Sequence, residues 1–415
     1  MRKLIAPDRV WNGTADFPSE GAAVIVSGNR IEEIVERGTC DDLTKNLETV
    51  PLPGCTLLPG LIDCHVHLAT APGASDNDVT ITIGARLHQV LRAMRALLDN
   101  GFTTVRDLGC PLPEPLVMMV RESVTAGALT GPRLLVAPHI LSARAGHGDV
   151  SPSLGTRRDV ELGALADGVP DIVRQVRVEA RSGADWIKFA GTGGFFSPTD
   201  HPKQTSYTQD EMNALVAAAR DLGLPCAVHA FGDEGIRRAV LAGVRSVEHG
   251  ALARAETLAE MAQRGTFLVP TRTVLAEAVT HLDDDDYWVD RTPGCRAKFR
   301  ELADELEEGV EARRNSSVKI AYGTDAGTLA HEENGSDFAA LSADGLSVSR
   351  ILRAATSTAA ELLELPEAGR IAAGVPADLV AVQGNPFATI DAMTHVQFVM
   401  KDGEVHKHVK QSSGS

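Results

Sequence analysis

The sequence predicts an α/β protein in which a (β/α)8 TIM barrel carries a small β-sandwich domain built from both chain ends. Three observations predict this class. Both chain ends are rich in β-type runs, the middle alternates helix-like and strand-like segments, and eight strand-like runs occur there, seven of them separated by helix-sized gaps. We therefore predict sandwich segments at residues 1–58 and 366–410 and a barrel at residues 59–365.

The two chain ends share the signature of β-hairpins. Residues 22–34 form two β-type runs around a Ser-Gly-Asn turn, and residues 379–405 contain further runs, the last around Lys401-Asp402-Gly403. We expect these ends to meet as one small sheet domain beside the barrel.

The middle of the chain repeats a helix-then-strand pattern. Apolar residues of 87–98 share one helical face, Asn100-Gly101 ends that helix, and a strand follows directly. A later helix begins with a capping box from Thr208 to Glu211. The helices that close at a glycine before a strand end at Gly183, Gly223, Gly243 and Gly265. The predicted barrel strands are Leu57–His67, Phe102–Asp107, Arg133–Pro138, Trp186–Phe189, Cys226–His229, Ser246–His249, Thr266–Val269 and Val318–Asp325.

Composition excludes several classes of function. The 415 residues include 40 Lys and Arg against 56 Asp and Glu, and the resulting net charge of −16 would repel nucleic acids and anionic membranes. Residues 1–10 lack the apolar core of a signal peptide, and no span approaches the ~20 apolar residues that cross a bilayer. Six cysteines lie far apart without a C-x-x-C pair, which fits neither a disulfide framework nor a thiolate zinc site. We expect a cytoplasmic homo-oligomer that acts on a small molecule.

Candidate metal ligands lie at the C-terminal ends of the predicted barrel strands, where barrels build active sites. His65 and His67 end the first strand, and strand alternation places both imidazoles on one face as a chelating pair. The other strand ends carry Lys188, His229, His249 and Asp325. Four imidazoles and a carboxylate suit a divalent ion such as zinc and exceed the three protein ligands of a single catalytic zinc, so we predict two metals.

Lys188 requires a separate explanation, because an ammonium among cations is disfavoured by like charge and by burial. Its pKa should fall, and the neutral amine could then react with carbon dioxide to form a carbamate. A carbamate is anionic and has two oxygens, which is enough to bridge two metals. The alternative is a lysine paired with a carboxylate at the barrel mouth.

Four motifs resemble those of the amidohydrolase superfamily, and the resemblance covers almost the whole chain. Residues 59–67 (Pro-Gly-Leu-Ile-Asp-Cys-His-Val-His) resemble its first-strand motif, residues 246–250 and 323–327 its sixth- and eighth-strand motifs, and residues 374–379 its return to the small sheet. This resemblance implies a binuclear site. In that site His65, His67 and Asp325 would hold one metal, His229 and His249 the other, and carboxylated Lys188 would bridge them.

Within the superfamily, Lys188 and the run Val228–Gly232 resemble the binuclear branch of prolidase-like carboxypeptidases and imidazolonepropionase-like hydrolases. Deaminase members tend to lack the strand-4 lysine and to carry a glutamate three residues after the strand-5 histidine. This chain has Gly232 at that position, which disfavours deamination.

The predicted reaction is hydrolysis of a C–N bond. A metal-bridging hydroxide would attack a carbonyl polarised by one metal, since coordination lowers the pKa of water from ~15.7 to ~7. Asp325 is the predicted catalytic residue, which accepts the proton and passes it to the leaving nitrogen. The expected substrate is an amide or peptide, such as an N-acyl amino acid or a dipeptide. Aryl ureas and carbamates are the alternative substrates, and a non-catalytic scaffold on the same fold is a further alternative, although no ligand is missing.

The loops after the strands carry the candidate substrate contacts. His147, in a glycine-rich loop, resembles a substrate-side histidine of this branch, and Arg144 could pair with a substrate carboxylate. Thr192 lies in the glycine- and phenylalanine-containing loop after Lys188, which could form a pocket wall or lid. Phe231 stands where the peptidase-like branch often has a polar residue for a terminal carboxylate, so it favours an aryl or N-acyl group. A role without substrate contact stays open for His147, Arg144 and Phe231.

Overall fold

A computed structural model describes most of the chain, in the ranges 2–36, 47–70, 72, 81–110, 116–151, 163–197, 200–289 and 291–409. The outer limits of the predicted sandwich, residues 1 and 410, lie outside the described residues, as do residues 37–46. None of the helices in the described ranges has the length and hydrophobicity that a bilayer-spanning helix needs.

The strands are β1 (Arg2–Val10), β2 (Ser19–Glu20), β3 (Ala22–Ser27), β4 (Arg30–Glu36), β5 (Glu48–Pro59), β6 (Leu61–Val66), β7 (Phe102–Asp107), β8 (Arg133–Val136), β9 (Ile140–Ser142), β10 (Ala164–Leu165), β11 (Ile187–Ala190), β12 (Cys226–Gly232), β13 (Ser246–Leu252), β14 (Phe267–Val269), β15 (Leu379–Gln383), β16 (Val396–Lys401) and β17 (Glu404–His408). The helices are α1 (Ile83–Asp99), α2 (Leu116–Thr125), α3 (Gly168–Arg181), α4 (Gln209–Asp221), α5 (Asp233–Ala242), α6 (Ala255–Arg264), α7 (Arg272–Thr280), α8 (Asp285–Trp288), α9 (Pro293–Glu301), α10 (Ala303–Asn315), α11 (Ser336–Ala343), α12 (Val348–Ala354) and α13 (Ser357–Leu362).

Strands from both chain ends share one sheet, as the sequence predicts. Its order is β17-β16-β15-β5-β1-β3-β4, with β2 paired to β1. The central strand β5 joins the two ends, because it pairs with β1 in parallel and with β15 antiparallel. One face buries an apolar cluster that includes Ile5, Val24, Leu57, Leu379 and Phe398. The described strands of the two chain ends pair into one mixed sheet. A sandwich of two packed sheets therefore stays a prediction, and so do the predicted domain boundaries.

The middle of the chain forms parallel sheets interleaved with helices. Among the described residues, β6-β7-β8 form one parallel sheet and β10-β9-β11-β12-β13-β14 form another. The capping box predicted at the start of α4 is present: the Thr208 side chain accepts from the Glu211 backbone, and the Glu211 side chain accepts from the Thr208 backbone. Helices α5 and α6 end as predicted at glycines in the left-handed region, Gly243 and Gly265.

The eighth predicted barrel strand differs from the prediction. Residues 318–325 make a single isolated parallel bridge, between Leu268 and Ile320. The backbone turns at Asp325, whose φ of 61° lies in the left-handed region and not in the extended region of a regular strand. Hydrogen bonds still place this segment between the two sheets, from Ala321 N to Leu268 O (2.9 Å) and from Cys64 N to Tyr322 O (2.8 Å). Continuous pairing around a closed ring is not found among the described strands, so a closed barrel stays a prediction.

Candidate metal centre

His65, His67 and Asp325 form a compact group of donor atoms. The Nε2 atoms of the two histidines are 3.3 Å apart, and each lies 3.3 Å from Asp325 Oδ1. Donor atoms of all three residues lie within 4.8 Å of one another. Gly323 allows this approach, because a Cβ there would lie 2.9 Å from the His65 Cβ. The predicted chelating pair and the predicted carboxylate therefore meet.

The Nδ1 atoms of His65, His67 and His249 each have a hydrogen-bond partner in the protein. His65 Nδ1 lies 2.9 Å from Glu248 Oε2, and His67 Nδ1 lies 2.7 Å from the Gly109 carbonyl oxygen. His249 Nδ1 lies 2.7 Å from Thr271 Oγ1. Such partners orient a metal-ligating imidazole and leave Nε2 available for the ion. The donor set, two imidazoles and a carboxylate with oriented rings, fits a divalent metal.

His229 and His249 lie next to this group. The ring centroids of His65 and His249 are 5.1 Å apart, and those of His229 and His249 are 4.7 Å apart. Burial lowers the pKa of both His229 and His249 well below the ordinary value. Both rings are therefore neutral at physiological pH, which is the form that binds metals. Among the described residues the close donor group itself contains only His65, His67 and Asp325.

Lys188 is buried in β11 with 1% of its surface exposed. Burial lowers its pKa to about 8, although the negative charges of Glu248 and Asp325 act to raise it. About one such lysine in ten is a neutral amine at pH 7. No carboxylate of the described residues forms an ion pair with Lys188. The lowered pKa raises the neutral fraction of the amine, and the carbamate and the ion-paired alternative both stay predictions.

Sequence reasoning missed a buried ion pair behind His65. Arg106 and Glu248 are both fully buried, and Arg106 donates to Glu248 Oε1 at 2.9 Å. Arg106 also donates to the Cys64 carbonyl oxygen (2.6 Å) and to Ser246 Oγ (3.1 Å). Burial raises the pKa of Glu248, but Arg106 and His65 outweigh it and hold that pKa well below its usual range. An arginine inside an otherwise buried strand was the available signal, because such a charge needs a partner.

His147 is the predicted substrate residue that the structure brings to the centre. Its ring stacks on His229 with centroids 3.9 Å apart and planes 10° apart. Its Nδ1 lies 3.3 Å from Ser197 Oγ and 3.6 Å from Asp200 Oδ2. The side chain is about one quarter exposed, so one edge of the ring is accessible.

Phe231 packs against the candidate metal centre, and Thr192 holds Phe231 in place. The Phe231 ring stacks on His249 with centroids 4.8 Å apart and meets the Phe195 ring edge-on at 5.0 Å. Thr192 is fully buried, and its hydroxyl accepts from Phe231 N and donates to the Gly193 carbonyl oxygen, both at 2.9 Å. The Thr192 hydroxyl therefore holds the loop against Phe231.

Arg144 is not brought to the centre. Its side chain is 47% exposed and pairs with Asp167 at 2.5 Å. An arginine already paired at the surface is poorly placed to hold a substrate carboxylate beside His65 and His249. Substrate roles for Arg144, Thr192, Phe231 and His147 stay predictions.

Several known proteins are similar to this chain over most of its length. A family model described as "Amidohydrolase family" matches residues 56–412. Ochratoxinase of Aspergillus niger is 29% identical over 398 residues, covering 88% of this chain and 77% of that protein. Imidazolonepropionase of Anaeromyxobacter sp. (strain K) is 27% identical over 431 residues, covering 93% and 90%. The crystal structure of a Xaa-Pro dipeptidase with methionine bound in its active site superposes with a TM-score of 0.89 at 29% identity, covering 98% of this chain and 100% of the other.

Proposed function

Since the chain belongs to the amidohydrolase family, we propose that it is a metal-dependent hydrolase that cleaves the amide bond of N-acyl amino acids or dipeptides. Hydrolysis of an amide C–N bond is what the family and its relatives support. The observation that carries the proposal is the convergence of His65, His67 and Asp325, whose donor atoms lie within 4.8 Å of one another.

We propose that the chain holds two divalent ions, and that they are zinc because imidazole and carboxylate donors suit it. His65, His67 and Asp325 would hold one ion, and His229 and His249 the other. When bound, these ions supply positive charge that polarises a carbonyl group and lowers the pKa of water. Metal analysis of the active protein checks the proposal: we expect about two ions per chain, and one ion in fully active protein would contradict a binuclear site.

Asp325 acts as the proton carrier in the proposed reaction. Its pKa is held well below the ordinary value, because His65 and His67 outweigh the effect of burial. The carboxylate is therefore an anion before the reaction and can accept the proton of the attacking water. Oδ1 faces the two Nε2 atoms, while Oδ2 lies 3.3 Å from Thr328 Oγ1. The proton then passes to the nitrogen that leaves.

We propose that Lys188 carries a carbamate, whose two anionic oxygens would help to hold the ions. Its neutral amine attacks carbon dioxide, an N–C bond forms, and one proton is released. Lys188→Ala should lose metal and activity, and added short carboxylic acids should restore part of both. Lys203→Ala is the matched control, since Lys203 is 46% exposed and pairs with Glu305 at the surface. Full metal content and activity in Lys188→Ala would refute the carbamate.

The proposed substrate combines an apolar group with a free carboxylate. The edge-to-face rings of Phe231 and Phe195 provide an apolar environment beside His249, on which Phe231 stacks. His147 is the accessible polar side chain next to His229, and we assign it to the substrate. The methionine bound in the related Xaa-Pro dipeptidase is such a molecule, with a free carboxylate and an apolar side chain.

The substrate test compares N-acyl leucine with the corresponding leucine amide, on zinc-loaded protein. We expect the compound with the free carboxylate to be hydrolysed at least about tenfold faster than the amide, since a charge-assisted hydrogen bond contributes roughly 1.5–3 kcal/mol. Equal rates, together with turnover of aryl ureas or carbamates, would favour the alternative hydrolase that the aromatic rings also permit. No turnover of any C–N substrate by metal-loaded protein would favour a non-catalytic scaffold.

The cytoplasmic location and the homo-oligomeric state remain proposals. Cys55, Cys64, Cys226 and Cys295 are free and buried, which supports a reducing compartment. Light scattering on the purified protein measures the oligomeric state directly.

A further inference from the structure

A buried polar cluster lies behind His147 and takes no part in the proposed reaction. Its charged members are Asp200 and Lys298, whose side chains are 2% and 9% exposed and whose charged atoms are 3.6 Å apart. Lys298 Nζ also donates to the Gly194 and Ser197 carbonyl oxygens, at 2.8 and 2.6 Å. Burying two charges is costly unless they are paired and hydrogen-bonded, so this cluster requires an explanation.

The cluster determines which nitrogen of His147 carries a proton. The Ser197 hydroxyl has one proton, and it faces two acceptors, Asp200 Oδ1 and the Gly194 carbonyl oxygen. The Ser197 Oγ atom lies 3.3 Å from His147 Nδ1 and can therefore offer that nitrogen only a lone pair. The second neighbour of Nδ1 is Asp200 Oδ2 at 3.6 Å, which has no hydrogen-bond partner among the described residues. Because both neighbours accept, Nδ1 must be the donor.

Asp200 is ionised over the whole physiological range. Burial raises its pKa, but the neighbouring His147 ring and the donors of Ser197 and Gly194 outweigh burial and lower the pKa to about 2. Lys298 adds a nearby positive charge. Asp200 therefore offers only acceptor atoms to the imidazole.

The His147 ring is also held in place by packing. One neighbour is the His229 ring, with centroids 3.9 Å apart. Another is Gly194, where a Cβ would lie 2.5 Å from both Nδ1 and Cε1 of His147. The second nitrogen, Nε2, has no hydrogen-bond partner among the described residues. These contacts restrain the orientation of the His147 ring. Nδ1 then faces protein atoms, and Nε2 is available to a ligand.

We propose that Asp200 and Lys298 are positioning residues, which act through Ser197 to hold His147 with Nδ1 as a hydrogen donor and Nε2 directed to the substrate. This inference rests on the proposed function, in which His147 contacts the substrate. Lys298 fixes the loop of residues 193–197 by its two carbonyl contacts, and Asp200 supplies the anion that selects the tautomer. A neutral amide at position 200 could instead donate to Nδ1 and force the opposite tautomer.

The first test reads the tautomer directly and needs no substrate. Two-dimensional ¹⁵N–¹H spectra of zinc-loaded protein with labelled histidine report which ring nitrogen is protonated, and His147→Gln identifies the His147 signal. We expect the wild type to show a protonated Nδ1 and Asp200→Asn to lose that pattern. A wild-type His147 with its proton only on Nε2 would overturn the proposal. Its outcome does not depend on which substrate the enzyme uses.

The second test asks whether Asp200 acts through His147. With N-acyl leucine, Asp200→Asn and Lys298→Met should each lower kcat/KM by about 10- to 100-fold, the usual effect of losing a partner that orients a histidine. In the His147→Gln background, Asp200→Asn should cause no further loss, because the residue that it positions is gone. Additive losses in the double variant would show a merely structural role and overturn the proposal.

Controls separate this inference from the proposed function. Asp16→Asn and Lys203→Met remove surface charges that are 80% and 46% exposed, and both should retain wild-type kinetics, metal content and Tm. Wild-type protein inactive on every N-acyl amino acid would refute the proposed substrate class, while the tautomer measurement would still decide the role of Asp200. If Asp200→Asn unfolds, Asp200→Glu, which keeps the charge, should restore the protonated Nδ1, and its failure to do so in folded protein counts against the proposal.

Discussion

Arg106→Met is expected to destabilise the protein and weaken the proposed metal site, although Arg106 is not one of the proposed ligands. The guanidinium is fully buried and donates to Glu248 Oε1 at 2.9 Å. Glu248 in turn holds His65 Nδ1 at 2.9 Å. Methionine fills much of the arginine volume but offers no donor, so the variant leaves a buried carboxylate without its cation.

The magnitude follows from the contacts that are lost. Breaking a buried ion pair by removing one partner costs about 3–5 kcal/mol, because the remaining charge is uncompensated. Arg106 also loses its bonds to the Cys64 carbonyl oxygen and Ser246 Oγ, and its position 4.3 Å from the Trp186 ring centroid. We therefore expect a loss of about 4 kcal/mol in the free energy of unfolding. Zinc affinity should fall by about 10- to 100-fold, as when a histidine loses an orienting partner.

The assay measures Tm of the metal-free protein and zinc affinity by competition with a chelator. The control is Arg2→Met, since Arg2 pairs with Glu32 at the surface and should contribute at most about 1 kcal/mol. Adding Glu248→Gln to Arg106→Met removes the uncompensated charge, so the double variant should be more stable than Arg106→Met alone. A single variant as stable as the Arg2→Met control, or a double variant less stable than the single, would refute the reasoning.

Three further predictions follow from the same geometry. Asp325→Asn should keep the fold and lower kcat by at least about 100-fold, since the amide cannot carry the proton; near-normal turnover would move the proton carrier elsewhere. Gly194→Ala should raise KM or lower kcat without changing Tm by more than a few degrees, because the new Cβ would lie 2.5 Å from His147 and displace its ring; unchanged kinetics would contradict the observed packing. Arg144→Ala should leave KM for carboxylate substrates within about twofold, because Arg144 pairs with Asp167 at the surface; a tenfold rise in KM would restore it as the carboxylate anchor.

Local patterns explain why much of the fold was predictable. Period-2 runs and glycine-terminated helices depend on neighbouring residues, so the sequence predicts the strand Phe102–Asp107 and the capping box at Thr208. It also predicts a strand over Cys226–His229, which the structure extends to Gly232. The eighth barrel strand was less predictable. The left-handed backbone at Asp325 depends on its packing against His65, and an apolar run alone does not report it.

The candidate ligands could be recognised in the sequence because histidines and aspartate at strand ends have few other roles in that combination. The alternation of a strand brings His65 and His67 to one face without any long-range information. Local sequence patterns were therefore enough to predict the α/β class, the meeting of the two chain ends in one sheet, and the residue types of the candidate metal centre.

The tertiary structure was needed to identify which residues, far away in the sequence, contact those ligands. Arg106 and Glu248 are 142 positions apart, and Lys298 reaches a carbonyl group 104 positions away. It also decided that Arg144 faces Asp167 and that the Thr192 hydroxyl holds Phe231. The physical reason is that hydrogen bonds and ion pairs depend on distances of about 3 Å, which are set by how strands and loops pack and not by spacing along the chain.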